Sequence, residues 1–230
     1  MAELARRFPE ARAARLDSDA VSSHRALQAI LDRFGRGEID ILVGTQMIAK
    51  GHDFPRVSLV GIICADTGLH IPDFRAAERT FQLLTQVAGR AGRGDRPGRV
   101  VLQTFFPGHY ALGHATRGDY AGFYRDEIGH RRVLGYPPFG RAARILVQGE
   151  DENRAREGAA AAGEALRGAK AAQVLGPAPA PIARIQGRFR FQILLKGKDP
   201  SAIRTALAAL PPRAPAGCDL LVDVDPQSLL

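Results

Sequence analysis

Apolar residues along the chain follow two periodicities. Between Ser23 and Phe34, Leu27, Ile30, Leu31 and Phe34 recur at i, i+3, i+4 and i+7, which predicts one buried face of a helix that stops at Gly35 and Gly37. Upstream, residues 3–15 read as a short helix ending near Arg12, followed by a polar stretch from Arg15 to Asp19. Residues 39–43, 57–64 and 100–104 are instead short β-branched runs with little polar interruption, the pattern of strands buried in a parallel sheet. Residues 76–87, between the last two runs, return to helical spacing. Strands alternating with helices predict an α/β unit with a mainly parallel sheet over residues 1 to about 106. Ligands of such sheets gather at the carboxyl ends of the strands, where the loops beginning at Gly44 and Asp66 lie.

Residues 108–135 read as a helical, polar connector, stopped by Pro137-Pro138. A second pattern follows: strand at 142–147, Ala-rich helix at 150–167, strands at 173–185 and 190–196, helix at 200–210 and strand at 220–224. The order β-α-β-β-α-β is that of a ferredoxin-like split sandwich. The expected division is an α/β part over residues 1–112, a connector over 113–138 and a smaller α+β domain over 139–230.

Composition narrows the function classes. With 230 residues, 45% of them hydrophobic, the chain has ample material for a buried core. No stretch reaches the roughly 18 to 20 consecutive apolar residues of a membrane span, and residues 1–9 have no signal-peptide core, so the expected compartment is cytoplasmic. Cys64 and Cys218 stand far apart, with no CxxC pair, so neither a disulfide framework nor a zinc site is expected. The net charge of +8 and pI near 10.2 point to a polyanionic partner, nucleic acid first, because each neutralised phosphate releases condensed counterions. The excess of Arg over Lys and the abundance of Ala and Gly allow a compositional reading of the same charge.

The densest chemistry lies in Gln86-Val87-Ala88-Gly89-Arg90-Ala91-Gly92-Arg93. Two arginines three residues apart project from nearly one helical face, and the glycines permit close backbone approach. That suits a fork reaching phosphate oxygens in phosphoryl transfer, although an Arg-Gly repeat taken alone reads more readily as a flexible basic loop. Upstream, Gly44-Thr45-Gln46-Met47-Ile48-Ala49-Lys50-Gly51-His52-Asp53-Phe54-Pro55 leaves a predicted buried strand. It offers backbone donors to a phosphate and a carboxylate, Asp53, for a ribose or for the arginine fork; the structural alternative is an ordinary strand-to-helix turn with Asp53 bonded to backbone.

Together these stretches resemble motifs V and VI of superfamily 2 helicases. With Asp73-Phe74-Arg75-Ala76-Ala77-Glu78-Arg79, Gly135-Tyr136-Pro137-Pro138-Phe139, Leu175-Gly176-Pro177-Ala178-Pro179-Ala180-Pro181 and Asp223-Val224-Asp225-Pro226, the chain is similar to the PriA family of primosomal replication-restart helicases over nearly its whole length. The resemblance implies a partial second RecA-like lobe in residues 1–112 and an S10-like domain in 139–230. It also implies a 3′ to 5′ DNA helicase that uses ATP and Mg and assembles the primosome at stalled forks. Arg93 matches the arginine finger and Arg90 its support. Gln86, Gly89 and Asp53 match ATP-contacting or coupling positions, and Thr45 and Gln46 match DNA-backbone contacts. The implied partners are branched or single-stranded DNA, single-stranded-DNA-binding protein and primosome proteins. Asp66 and residues 73–79 match family positions without an expected direct role.

Departures from the family matter as much. No GxxxxGK[ST] occurs among the 230 residues, so no ATPase is expected from this chain alone. Asp126-Glu127-Ile128-Gly129-His130 looks like a DExH box but follows motif VI with no preceding strand, and reads as a solvated helix face. The family's zinc ligands are missing. A stand-alone, non-catalytic fork-binding module of helicase ancestry is the alternative.

A basic segment closes the chain's chemistry. Arg184, Arg188, Arg190, Lys196 and Lys198 lie within fifteen residues containing no acid, with Phe189 and Phe191 interleaved. In a strand, Arg188 and Arg190 share one face and the phenylalanines the other, which predicts phosphate contact and not base stacking.

Overall fold

A computed structural model describes residues 1–17, 23–45, 57–89, 98–211, 214 and 216–229. They divide into two compact units, one of residues 1–67 and 79–119, the other of residues 68–78 and 120–230. No described helix is long and apolar enough to cross a membrane.

In the first unit, α1 (Ala2–Arg7) ends where Phe8 leaves helical backbone (φ −132°, ψ 69°) ahead of Pro9, which disfavours helix in the residue before it. The helix expected to run on to about Arg12 therefore stops earlier. The segment read as its end and as a polar stretch is β1 (Ala13–Leu16), paired in parallel with β2 (Ile41–Gly44). Leu16, fully buried, packs with Leu31 and, around them, Leu27, Ile30 and Phe34 of α2 (His24–Arg36). Pairing and burial thus override a weakly patterned sequence. Ser23 caps α2 by accepting from the Ala26 amide at 3.2 Å. The helix passes through Gly35 and stops at Gly37, whose left-handed φ of 79° lets the Gly37 and Glu38 amides reach the Phe34 and Arg33 carbonyls, each at 3.0 Å. Arg12 fixes the start of β2 from the side, with Nε and Nη2 each 2.8 Å from an Asp40 carboxylate oxygen.

A second parallel pair, β3 (Leu59–Ile62) with β4 (Arg99–Leu102), agrees with the expected α/β character. α3 (Ala76–Ala88) begins in the second unit and continues in the first, where Phe81 and Leu84 are buried. The expected connector is two helices, α4 (Tyr110–Arg117) and α5 (Tyr120–Leu134), separated at Gly118 with φ of 64°. It is less polar than its composition: Ala111, Leu112, Ala115 and Phe123 are all buried.

The second unit carries the expected β-α-β-β-α-β order: β5 (Arg141–Gly149), α6 (Glu152–Gly168), β6 (Gln173–Ile185), β7 (Arg188–Gly197), α7 (Pro200–Leu207) and β8 (Cys218–Val224). The antiparallel sheet is ordered β6-β7-β5-β8. Its core forms where Ala143, Ile145, Ile193 and Leu195 of the two central strands meet Ala162 and Leu166 of α6 and Ile203 and Ala206 of α7. Gly197 permits that approach, since a Cβ there would lie 2.9 Å from Ile203 Cδ1. Pro177, Pro179 and Pro181 alternate along β6, which pairs only with β7 among the described strands; lacking N–H groups, they blunt that edge against further pairing.

Candidate nucleic-acid interface

The motif V and VI positions lie partly within the described structure. Thr45 is exposed immediately after β2, at its carboxyl end. Gln86 is exposed in the last turn of α3, and the Gly89 amide continues the helical pattern by donating to the Thr85 carbonyl at 3.0 Å. Burial of Phe81 and Leu84 turns the opposite side of the helix inward, which leaves Gln86 facing out. Gln46, Asp53, Arg90 and Arg93 lie outside the described residues.

Asp66, in a 3₁₀ turn (Ala65–Gly68) after β3, accepts from Thr104 Oγ1 and from the Phe105 amide at 2.9 Å. It ties together the exits of β3 and β4. The Thr104 hydroxyl holds the Asp66 carboxyl below its ordinary pKa; burial opposes this, and the Phe105 and Phe106 amides reinforce it.

On the C-terminal sheet, Phe191 packs against Val147, Ala155 and Ala159 with Phe189 beside it, so the phenylalanines belong to the helix-covered face. Arg188, Arg190, Gln192, Leu194 and Lys196 alternate onto the other face. Arg184 is exposed, with its guanidinium 4.8 Å from the Phe189 ring centre. Arg188 pairs with Asp219 of β8 at 2.7 Å and also donates to the Gln148 carbonyl at 3.2 Å. Arg190 is only 8% exposed and donates to the Ile182 carbonyl at 3.1 Å. Burial, then the nearby charge of Arg144, lowers its pKa. Lys196 is half-buried, donates to the Leu134 carbonyl and lies 4.5 Å from the Tyr136 ring centre. Arg184 donates only a long bond, to the Gly187 carbonyl at 3.4 Å, and is thus among these basic residues of the sheet the one most open to a phosphate, while Arg188, Arg190 and Lys196 are more firmly engaged within the protein.

Two features escaped the sequence reading. The acid-free segment meets an acid across the sheet, in Arg188–Asp219, and the neighbouring strand β5 repeats the pattern, with Arg141 paired to Asp225 at 3.0 Å. Cross-strand partners 31 or 84 positions apart leave no signal in a single strand's pattern. Second, a partly buried cluster forms around residues 73–78. Phe74 stacks on Tyr136 with centroids 5.1 Å apart, and Arg131, 12% exposed at its side chain, bridges Glu127 at 2.6 Å and Glu78 at 2.5 Å. Glu127, read as part of a solvated face, is therefore buried and ion-paired; it follows Arg131 inward, while Asp126 remains exposed. A cavity of about 400 Å³ opens beside this cluster, lined by Phe74, Tyr136, Arg144, Leu175, Gln192 and Leu194 among others.

The described residues do not compose an ATP–Mg or zinc site. No described cluster of three His, Cys, Asp or Glu could hold a metal, and Cys218 is part of an apolar cluster with Val147, Ala155 and Ala159. The sequence supplies no phosphate-cradling lysine and hydroxyl motif.

Residues 1–95 match the helicase conserved C-terminal domain, and residues 132–227 match the primosomal protein N C-terminal domain. The replication restart protein PriA of Bacillus subtilis (strain 168) is 48% identical over 210 residues, covering 90% of this chain and 26% of that protein. The proteins of the same name from Treponema pallidum (strain Nichols) and Synechocystis sp. are 47% and 41% identical over 97% and 98% of this chain, and 34% and 27% of their own lengths. The chain thus spans about a quarter to a third of the length of the curated relatives it matches. Two domain matches in sequence order and 41% to 48% identity over nearly the whole chain lead to one conclusion: the chain belongs to the PriA family of replication restart proteins, matching their C-terminal portion.

Proposed function

We propose that this chain is the C-terminal part of an ATP-dependent 3′ to 5′ DNA helicase that restarts replication and assembles the primosome at stalled forks. The observation that carries this reading is the joint presence, in order, of the helicase C-terminal domain and the primosomal protein N C-terminal domain. In this reading Arg93 stabilises charge on the transferred phosphoryl group, with Arg90 supporting it. Gln86, Gly89 and Asp53 couple the nucleotide to DNA, and Thr45 and Gln46 contact the DNA backbone. An arginine finger stabilises a transition state only where a phosphate cradle has assembled it, so hydrolysis needs P-loop residues beyond these 230.

The activity assigned to the chain itself is binding of branched or single-stranded DNA through Arg184, with Arg188, Arg190 and Lys196 joining where phosphates displace their internal partners. Single-stranded-DNA-binding protein and primosome proteins are the proposed protein partners. The test is paired: purified chain with forked DNA and ATP is expected to bind the DNA and turn over no ATP. Turnover abolished by Arg93→Ala would overturn the assignment of catalysis to missing residues, and absence of DNA binding at low salt would overturn the binding role.

A further inference from the structure

Lys196, a proposed phosphate contact, stands at one end of a chain of touching side chains. Its ammonium lies 4.5 Å from the Tyr136 ring centre; Tyr136 stacks on Phe74 at 5.1 Å with 10° between the planes. Phe74 in turn lies under Arg131 at 5.4 Å and beside Arg75 at 5.7 Å. Arg131 ends the chain by gripping Glu78 at 2.5 Å. Glu78 occupies the first turn of α3. The same helix ends at Gln86–Ala88 and leads in sequence into Arg90 and Arg93. Every contact from Lys196 to Glu78 lies within one compact unit, and α3 then carries the backbone into the other.

Two physical features make this more than a packed cluster. Arg131 has both carboxylate partners on a side chain only 12% exposed, and its guanidinium also rests on the Phe74 ring, so its geometry is set jointly by Glu127, Glu78 and Phe74. Lys196 is held by neutral groups instead: its ammonium rests on the Tyr136 face and donates to the Leu134 carbonyl, partners that compete poorly with a phosphate for the same charge. The cluster therefore has a labile end facing the proposed ligand and a stiff end fastened to the helix that leads into motif VI.

We propose that Lys196, Tyr136, Phe74 and Arg131 form a relay of positioning residues through which DNA on the C-terminal sheet loosens the grip on α3. This rests on the DNA-binding reading above. A phosphate draws Lys196 from Tyr136; the Tyr136–Phe74 stack then relaxes, and the Arg131–Glu78 bridge weakens. α3 gains freedom at the end opposite its arginine-bearing sequence. Contiguity alone does not establish coupling, so the relay stands on a measured change in α3.

The experiment is amide hydrogen exchange of the full 230-residue chain, followed on peptides from α3, with and without a forked oligonucleotide whose binding is monitored in parallel by fluorescence anisotropy. DNA is expected to speed exchange in residues 79–88 by about fivefold or more, the lower range of coupling between sites. In Glu78→Gln and in Phe74→Leu, exchange is expected to be fast already and insensitive to DNA. Arg131→Lys, which keeps the charge on Glu78, is expected to restore part of the DNA response, which a purely structural role would not do. Bound DNA with unchanged α3 exchange in the parent chain overturns the relay, as does a full DNA response in Glu78→Gln. A chain that shows no anisotropy change fails the DNA-binding reading and takes the relay with it, a result distinct from a silent helix beside bound DNA.

Discussion

Leu229 donates its backbone N–H to Asp73 Oδ2 at 3.0 Å, and Ser228 Oγ reaches the same oxygen at 3.1 Å. Two regions 156 positions apart are thereby joined through one carboxylate that is 7% exposed. The other carboxylate oxygen accepts from the Arg75 amide at 2.9 Å, just ahead of α3. Asp73→Ala removes the acceptor of three donors, of which the Leu229 amide is buried, and the second unit is expected to lose about 2 kcal/mol of stability. Ser228→Ala, which removes one neutral bond, is expected to cost about 1 kcal/mol. Urea unfolding followed by circular dichroism separates the two, and equal midpoints for Asp73→Ala and the parent would contradict this role.

Packing predicts a contrast within the C-terminal sheet. Ile193 is fully buried between β5 and the helices, whereas Leu221 on β8 is 50% exposed. Ile193→Ala is expected to destabilise by roughly 2 to 5 kcal/mol and Leu221→Ala by under about 1 kcal/mol, read from the same unfolding curves.

How far the sequence spoke for the fold depended on the range of the forces involved. The ferredoxin-like order was legible because each strand and helix of the second unit carries its own periodicity, down to the bounds of β6. β1 was not, because four residues with a single fully buried side chain, Leu16, become a strand only through pairing with β2. The motif residues were legible as types at fixed spacing. What Arg188, Arg190 and Lys196 touch was not, since Asp219, the Ile182 carbonyl and Tyr136 come from other segments. Glu127 misled for the same reason: its partner Arg131 is one turn away, but the burial of both depends on residues 73–78.

Acid dependence follows from two carboxylates. Asp40 is held far below its ordinary range by the Arg12 side chain and backbone, and Asp66 is lowered first by Thr104. A group with a depressed folded pKa contributes stability above its unfolded pKa, about 3.9 for Asp, and loses it as pH falls through the folded value. The contribution of both is therefore constant from neutral pH down to about pH 5, begins to fall near about pH 4 and is lost progressively as pH drops further toward the folded pKa. In Asp40→Asn and Asp66→Asn the first unit is expected to be less stable at pH 7 and to show a shallower acid-induced loss. An unchanged slope between about pH 4 and 2 in both variants would contradict the assignment.

If this C-terminal portion holds DNA by its phosphates, forked-DNA affinity measured across a salt series, for the parent chain and for Arg184→Glu, shows it most directly. Arg184 is exposed, so the variant is expected to fold normally. Log affinity is predicted to fall linearly with log salt concentration, by about 0.9 per phosphate neutralised, and the slope in Arg184→Glu to be shallower by about one. Affinity that does not change with salt, or that is undetectable at low salt, would contradict the claim.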